Sequence, residues 1–436
     1  MAFDASRKLA KLVRGNRLVH NMAALYGVQF GRKIIPLITI PYLARMLGAA
    51  GWGKIAFVTA IGDFVVILIE FGFNLSATRE VARHRDCPQT CGEVMSGVLG
   101  AQALLAALAM AAAVACSRFI PLLRDNSALF GAGLVYGVAQ GFAPLWFFQG
   151  LEKLRLSSAI EITGKLAAVG GMFVFVHGAG DEWKWMALCA VAPTLTTIAG
   201  FVLAFRTMPM RLPTFAMVSR ALHMGWPMFL FRSAESLYGI GNVFLLGLFA
   251  SPEIVGYFAS AEKISKAAYG LMNPVRDAIY PRLSHLAKSG YEAAANLARL
   301  SASIIVGGGV LLGILLFLTA PLLIKLLLGA SYEPAVLVLR MFSCLPVLLA
   351  ITNSAGMQWL LPFGQDGKIN QIILSGGVVN VCLSLFLAPR FLHVGMAASV
   401  LCSELYVSTA MATAAYKLLP PRNRTAVVDL QGAESP

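Results

Sequence analysis

GRKIIPLITIPYLARMLG (residues 31–48) and KIAFVTAIGDFVVILIEFGFNLSA (54–77), joined by AAGWG (49–53), read as one apolar hairpin. Arg32 and Lys33 interrupt its first arm, and Asp63 and Glu70 its second, before the polar TREVARHRD at 78–86. A charge at the centre of a bilayer costs roughly 2.5–3.5 kcal/mol on insertion scales, so four facing lipid would cost about 10 kcal/mol. The four charges are therefore expected to face a polar interior. That implies a transporter lumen.

Composition agrees. The 436 residues are 58% hydrophobic and 13% charged, with mean hydropathy +0.73. Soluble domains sit near 45–50% apolar and about 25% charged. Apolar runs near 20 residues in length point to spanning helices, and the absence of strict alternation excludes a transmembrane barrel. The net charge of +14 would suggest nucleic acid in a soluble chain. Here its placement argues otherwise, and no nucleic-acid partner is expected. The basic start, MAFDASRKLAKLVRGNRLVH, lacks a following small-residue cleavage site and reads as a tail before an uncleaved helix. His84, Cys87 and Cys91 are poorly spaced for a metal and read as incidental, so no metal site is expected. The other cysteines lie mostly in apolar runs and form no disulfide framework.

The fold expected is all-α and integral to the membrane, with about twelve spans in two six-helix bundles around a central cavity. The spans fall near 20–46, 53–75, 93–116, 127–149, 158–178, 185–205, 223–249, 256–281, 299–323, 335–361, 370–388 and 395–418. Domains follow: a basic tail (1–19), a first bundle (20–205), a linker (206–222), a second bundle (223–418) and a C-terminal tail (419–436). An even number of spans puts both termini on one side. Loops on that side hold Arg79, Arg83, Arg85, Lys153, Arg155, Arg206, Arg211 and Arg220, while the opposite loops hold Arg118, Arg124, Lys184, Lys325 and Arg390. The positive-inside rule then makes both termini cytoplasmic. GWGKIAF (51–57) is weakly echoed by VGYFASA (255–261), as in a transporter built from two parallel repeats. Tryptophans near span ends suggest an aromatic belt, and Gly133, Gly137 and Gly141 suggest close helix packing.

Other charges lie within the spans. Glu161 with Lys165 and Glu262 with Lys266 stand at i,i+4, and Arg232 with Glu235 at i,i+3, so each can form a structural pair. Arg32 and Lys33 have no acid within four residues on their own helix. With Arg232, Arg276 and Arg340 they are the candidate groups for an anionic substrate; a pyrophosphate would suit them, because an arginine fork binds two oxygens at once. Lys263, Lys266, Arg276 and Arg340 stand near predicted span ends, where snorkelling to the interface is the plainer reading. Asp63 and Glu70, about 10 Å apart on one helix face, and Glu235 are the candidates for coupling to a proton or sodium gradient. No catalytic residue and no cofactor is expected.

PLITIPYLARMLG (36–48), EFGFNLSATREVA (70–82), WFFQGLEKL (146–154), VGYFASAEKI (255–264) and NPVRDAIYPRLS (273–284) resemble the O-antigen flippases. These are polysaccharide repeat-unit exporters of the multidrug, oligosaccharidyl-lipid and polysaccharide exporter superfamily. The resemblance runs from about residue 16 to 419. It implies a bacterial inner-membrane protein that moves undecaprenyl-pyrophosphate-linked oligosaccharide from the cytoplasmic to the periplasmic leaflet by alternating access, coupled to an ion gradient. It also implies membrane lipid, a polysaccharide polymerase and a chain-length regulator as partners. Three rivals are weighed. A drug exporter would prefer an acidic, apolar lumen, and a peptidoglycan-precursor flippase typically has fourteen spans. A polymerase or ligase needs a large outward loop, and the loops here are short.

Overall fold

The computed structural model describes residues 17–153, 155–209, 211–289 and 291–418, and among them there are helices and no strands. In chain order they are α1 (Arg17–Glu70), α2 (Phe73–Arg83), α3 (Pro88–Ser117), α4 (Pro121–Asp125), α5 (Ser127–Gly141), α6 (Leu145–Gly150), α7 (Arg155–Phe175) and α8 (Glu182–Thr207). After residues 208–214 come α9 (Phe215–Gly239), α10 (Gly241–Phe249), α11 (Pro252–Gly270), α12 (Asn273–Ser289), α13 (Tyr291–Leu327), α14 (Ala335–Phe342), α15 (Leu345–Ala355), a π-helical turn (Gly356–Leu360) and α16 (Asp366–Tyr416). The protein is an all-α, multi-pass membrane protein of two six-helix bundles. Among the described residues seven helical stretches are long and apolar enough to cross a membrane, and two, Ile38–Arg83 and Asp366–Tyr416, are long enough to cross twice.

Each double-length stretch reverses at a residue outside helical geometry. In α1 that residue is Gly48 (φ 69°, ψ 177°), where the missing Cβ removes the steric cost of positive φ. In α16 it is Leu392 (φ 52°), which bears that cost with a side chain present. A second break corrects the expected span 53–75. The helix stops at Glu70, Phe71 (φ 43°) and Gly72 (φ 74°) re-aim the chain, and TREVAR belongs to α2. Two successive left-handed residues cannot continue a right-handed helix.

Lipid removes the usual hydrophobic drive between helices, so close backbone approach does much of the work. The glycine stripe on α5 shows this against the second arm of α1. A Cβ on Gly137 would stand 2.7 Å from the Gly62 carbonyl oxygen, and one on Gly141 2.7 Å from the Ile69 Cβ. The stripe is a packing face, as expected. On α13 one face buries Ile305, Leu316, Ala320 and Ile324 while Leu311, Leu318 and Leu322 stay exposed, as a lipid-facing helix requires. The aromatic belt is thinner than expected. Trp52, Trp146, Trp185 and Trp359 are buried in the protein, which leaves Trp183 and Trp226 exposed.

One large core cluster joins the bundles, drawing on Leu43, Phe57 and Ile69 of α1, Leu246 of α10, Phe258 of α11 and Val400 of α16. A second cluster gathers around Phe73, Phe147 and Ala221, and a third around Leu283, Trp359 and Met411. The seam between the bundles runs from the first cluster towards the second, and the candidate residues meet along it.

Candidate functional site at the seam between bundles

At one end of the seam the α1 turn meets the start of α11. A Cβ on Gly53 would collide with the Pro252 carbonyl, and one on Gly256 with the Ala49 carbonyl, so backbone lies directly on backbone. The fully buried Tyr332 donates its hydroxyl proton to the Ala44 carbonyl at 3.3 Å. Arg45 donates to the Leu326 carbonyl. Phe57 stacks on Phe244 with centroids 5.7 Å apart. The two segments of the sequence echo, 51–57 and 255–261, therefore touch each other here.

Further along, Asp63 accepts a hydrogen bond from the Tyr136 hydroxyl of α5 at 3.1 Å. Lys263 of α11 lies close enough for its charge and that of Asp63 to act on one another. The Lys263 ammonium sits 4.7 Å from the Trp52 ring centroid, which helps offset its lost water. One turn on, Lys266 pairs with the buried Glu262 at 2.9 Å. The i,i+4 spacing predicted this pair, and the Glu161–Lys165 pair also forms.

At the far end Glu70 crosses the seam to Arg232 of α9 at 3.6 Å, and the Asn74 amide donates to Glu70 at 3.5 Å. Around this pair Phe71 stacks on Phe229 (4.4 Å, 16°), with Trp226 beside both. A Cβ on Gly225 would stand 2.6 Å from the Phe71 carbonyl oxygen. Although α9 opens the second half of the chain, it packs against α2 and α3 of the first. The left-handed break at Phe71–Gly72 makes this docking possible, because it aims the Phe71 ring and carbonyl at α9.

Other candidates lie apart from these pairs. Arg276 donates to the Tyr269 hydroxyl at 3.1 Å, and its buried Nε has no hydrogen-bond partner. Arg340 is on the exposed face of α14, 5.4 Å from the Phe317 ring centroid. Val338, Leu339 and Phe342 take the buried face, so Arg340 points away from the α1–α11 contact. The side chains of Arg32, Lys33 and Glu235 lie outside the described residues. The expected Arg232–Glu235 pair lies outside the described residues, and Arg232 makes the Glu70 contact across the seam.

Sequence reasoning missed Lys263 and Tyr136. Lys263 stands near a predicted span end, where snorkelling seemed sufficient, yet it lies inside VGYFASAEKI, the partner of the first repeat's turn. Tyr136 gives no signal among its apolar neighbours. Lys263, Lys266 and Arg232, with Arg276 behind, put cations along a contact between two bundles, each poised against an acid or a phenol. Such an arrangement can exchange a carboxylate partner for another anion.

A family described as "Polysaccharide biosynthesis protein" matches residues 18–287. A protein of Escherichia coli (strain K12) named "Putative O-antigen transporter" is 28% identical over 396 residues, covering 90% of this chain and 95% of that one. Among solved structures, the lipid II flippase MurJ in an inward closed conformation aligns with TM-score 0.68 at 11% identity, covering 90% of this chain and 87% of that one. An inward-facing multidrug resistance MATE transporter aligns at 0.64 and 14% identity, covering 88% and 98%. These two likenesses establish the fold.

Proposed function

Because this chain belongs to the polysaccharide biosynthesis protein family, we propose that it flips undecaprenyl-pyrophosphate-linked oligosaccharide from the cytoplasmic to the periplasmic leaflet of a bacterial inner membrane. It is a transporter, not an enzyme. The reading rests on one observation: within apolar spans, an acid of one bundle meets a cation of the other, Glu70 against Arg232 at 3.6 Å. Nothing in lipid requires such groups, and each costs several kcal/mol unless matched. A seam that must part and close around an anion has a use for them.

In this mechanism both termini are cytoplasmic, which places the Glu70–Arg232 end towards the cytoplasm and the Gly53–Gly256 end towards the periplasm. Parting α9 from α2 and α3 opens the cytoplasmic side. The pyrophosphate then displaces Glu70 from Arg232, whose fork suits two phosphate oxygens, and engages Lys263. The glycan follows through the polar seam while the polyprenyl tail stays in lipid. Closing the cytoplasmic end and opening the turn end releases the cargo outward. Two negative charges leaving an inside-negative cell gain about 4.6 kcal/mol per 100 mV. The acids, freed in turn, take up a proton or sodium ion that resets the empty carrier.

The test is flipping in proteoliposomes holding undecaprenyl-pyrophosphate glycan, with an impermeant glycan-cleaving enzyme reporting the outer leaflet. Protein-dependent flipping that falls in Arg232→Ala and Lys263→Ala supports the reading. No flipping of any pyrophosphate-linked glycan would overturn it.

A further inference from the structure

Among the described residues the buried acids Glu161, Glu182 and Glu262 each pair with a lysine, and Glu404 does not. Glu404, in the second half of α16, is 2% exposed, and among the described residues no lysine, arginine or histidine pairs with it. Its hydrogen-bond partner is the Thr352 hydroxyl of α15, which donates to Oε1 at 3.1 Å. The acid lies between two apolar clusters, with Val400 on one side and Val407 and Met411 on the other. An unpaired carboxylate in such a place costs far more than a neutral carboxylic acid.

Among the described residues, no cation of a neighbouring element, nor Arg220 or His223 of α9 or Lys368, Arg390 or His393 of α16, forms an ion pair with Glu404. α10, α15 and the π-helical turn contain no Asp, Glu, Lys, Arg or His. On α9, Arg232 is held by Glu70, and the Glu235 and Tyr238 side chains lie outside the described residues. On α11, Glu262 and Lys266 pair with each other, Lys263 acts on Asp63, and Tyr269 donates to the Leu349 carbonyl with Arg276 behind it. On α14, Arg340 lies by Phe317. On α16 itself, Tyr406 bonds to Ser375, and Cys402 is exposed.

A second observation concerns the element that Glu404 touches. Four residues after Thr352 the helix widens into the π turn Gly356–Leu360, a geometry that recurs at functional sites. Gly356 meets Met411 of α16, with a Cβ there standing 3.4 Å from the Met411 sulfur. Thr352 and Gly356, at i,i+4, therefore oppose Glu404 and Met411, at i,i+7, along a single stripe. Nearby, Asn380 donates to the Ser403 hydroxyl at 3.2 Å, while the Asn380 Oδ1 and the Ser354 hydroxyl are buried without partners. The stripe is polar and under-satisfied in an otherwise apolar bundle.

From this geometry we infer that Glu404 is a proton-binding site of the second bundle, separate from the seam acids. It takes up one proton when sealed against Thr352 and releases it to water when α15 shifts on α16 about the π turn. The carboxylate becomes a carboxylic acid and back again, and no other group changes.

The test reads the proton directly and needs no cargo, so its outcome is independent of what the protein flips. Infrared difference spectra of the full-length protein in lipid nanodiscs are recorded as pH rises from about 5 to about 9, a range that brackets groups shifted far from the carboxylate norm. The wild type is expected to lose a protonated-carboxyl band that Glu404→Gln never shows. Thr352→Val keeps the acid but removes its donor, and moves the same band to higher frequency. If Glu404→Gln fails to fold, that shift decides the matter. Wild-type and variant spectra that coincide would overturn the proposal. So would a Glu404 band that persists at every pH, as in a fixed structural acid, or one abolished at constant pH by sodium.

Discussion

The two ends of the seam close by different means. At the turn end, backbone meets backbone through Gly53 and Gly256, and Tyr332 is sealed beneath it without exposure. At the far end the contact is made largely by side chains: an ion pair with Arg232 38% and Glu70 23% exposed, and the stacked rings of Phe71 and Phe229. Backbone packing leaves no rotamers to rearrange and tolerates no added atom. A half-exposed ion pair is weak, of order 0–1 kcal/mol, and exchanges readily. In the proposed cycle this contrast would make one end a tight stop and the other a latch that an anionic ligand undoes.

The largest effect should come from breaking the tight end. Gly256→Leu places a side chain against the Ala49 carbonyl, which has nowhere to go. Overpacking of this kind costs about 3 kcal/mol or more. Flipping should fall over a hundredfold, and a cysteine at position 49 should become open to an impermeant thiol reagent. A Gly256→Leu protein with normal flipping would mean that the seal is not part of the cycle.

The middle of the seam comes next. Lys263→Ala leaves Asp63 without the cation that acts on it, while Asp63→Asn removes the charge and keeps an acceptor for Tyr136. Lys263→Ala should slow flipping tenfold or more, about 1.4 kcal/mol at the least. If the acid couples transport to an ion, Asp63→Asn should abolish dependence on an imposed gradient. Gradient dependence that survives would separate the acid from coupling.

The latch should respond more mildly. Glu70→Gln and Arg232→Ala each lose one member of the pair. A double-mutant cycle on stability should show coupling of about 1 kcal/mol or less, shrinking with added salt. Arg232→Ala should nevertheless slow flipping roughly tenfold, about 1.4 kcal/mol, because it meets cargo as well as Glu70. Equal effects of the two substitutions on flipping would reduce Arg232 to a structural role. The smallest effect belongs to Arg340→Ala, which should leave flipping within about twofold, since the side chain stands on Phe317 away from the α1–α11 contact.

Local regularities carried the sequence reading a long way. The Glu161–Lys165 and Glu262–Lys266 pairs follow from helical spacing alone, and both form. The α5 glycines packed as their spacing implied. Spacing gave no sign of the Arg232–Glu70 contact, whose members stand 162 positions apart in the chain with no helix rule to connect them. Lys263 was undervalued for the same reason: a lysine near a span end snorkels unless another helix brings a ring and an acid to it. The Phe71–Gly72 break was hidden in an apolar run, because a single glycine there does not reveal that α9 packs against the reversed backbone.

By itself the sequence determined the solvent, the secondary structure and the need for a polar interior. Apolar run length, helical hydrogen bonding in lipid and the cost of buried charge are local or additive quantities, legible from order and composition. Only the tertiary structure decided which acid meets which cation, which end of the seam is sealed by backbone, and that Thr352 is set against Glu404. Those are relations between helices far apart in the chain, and they depend on distances that no single segment encodes.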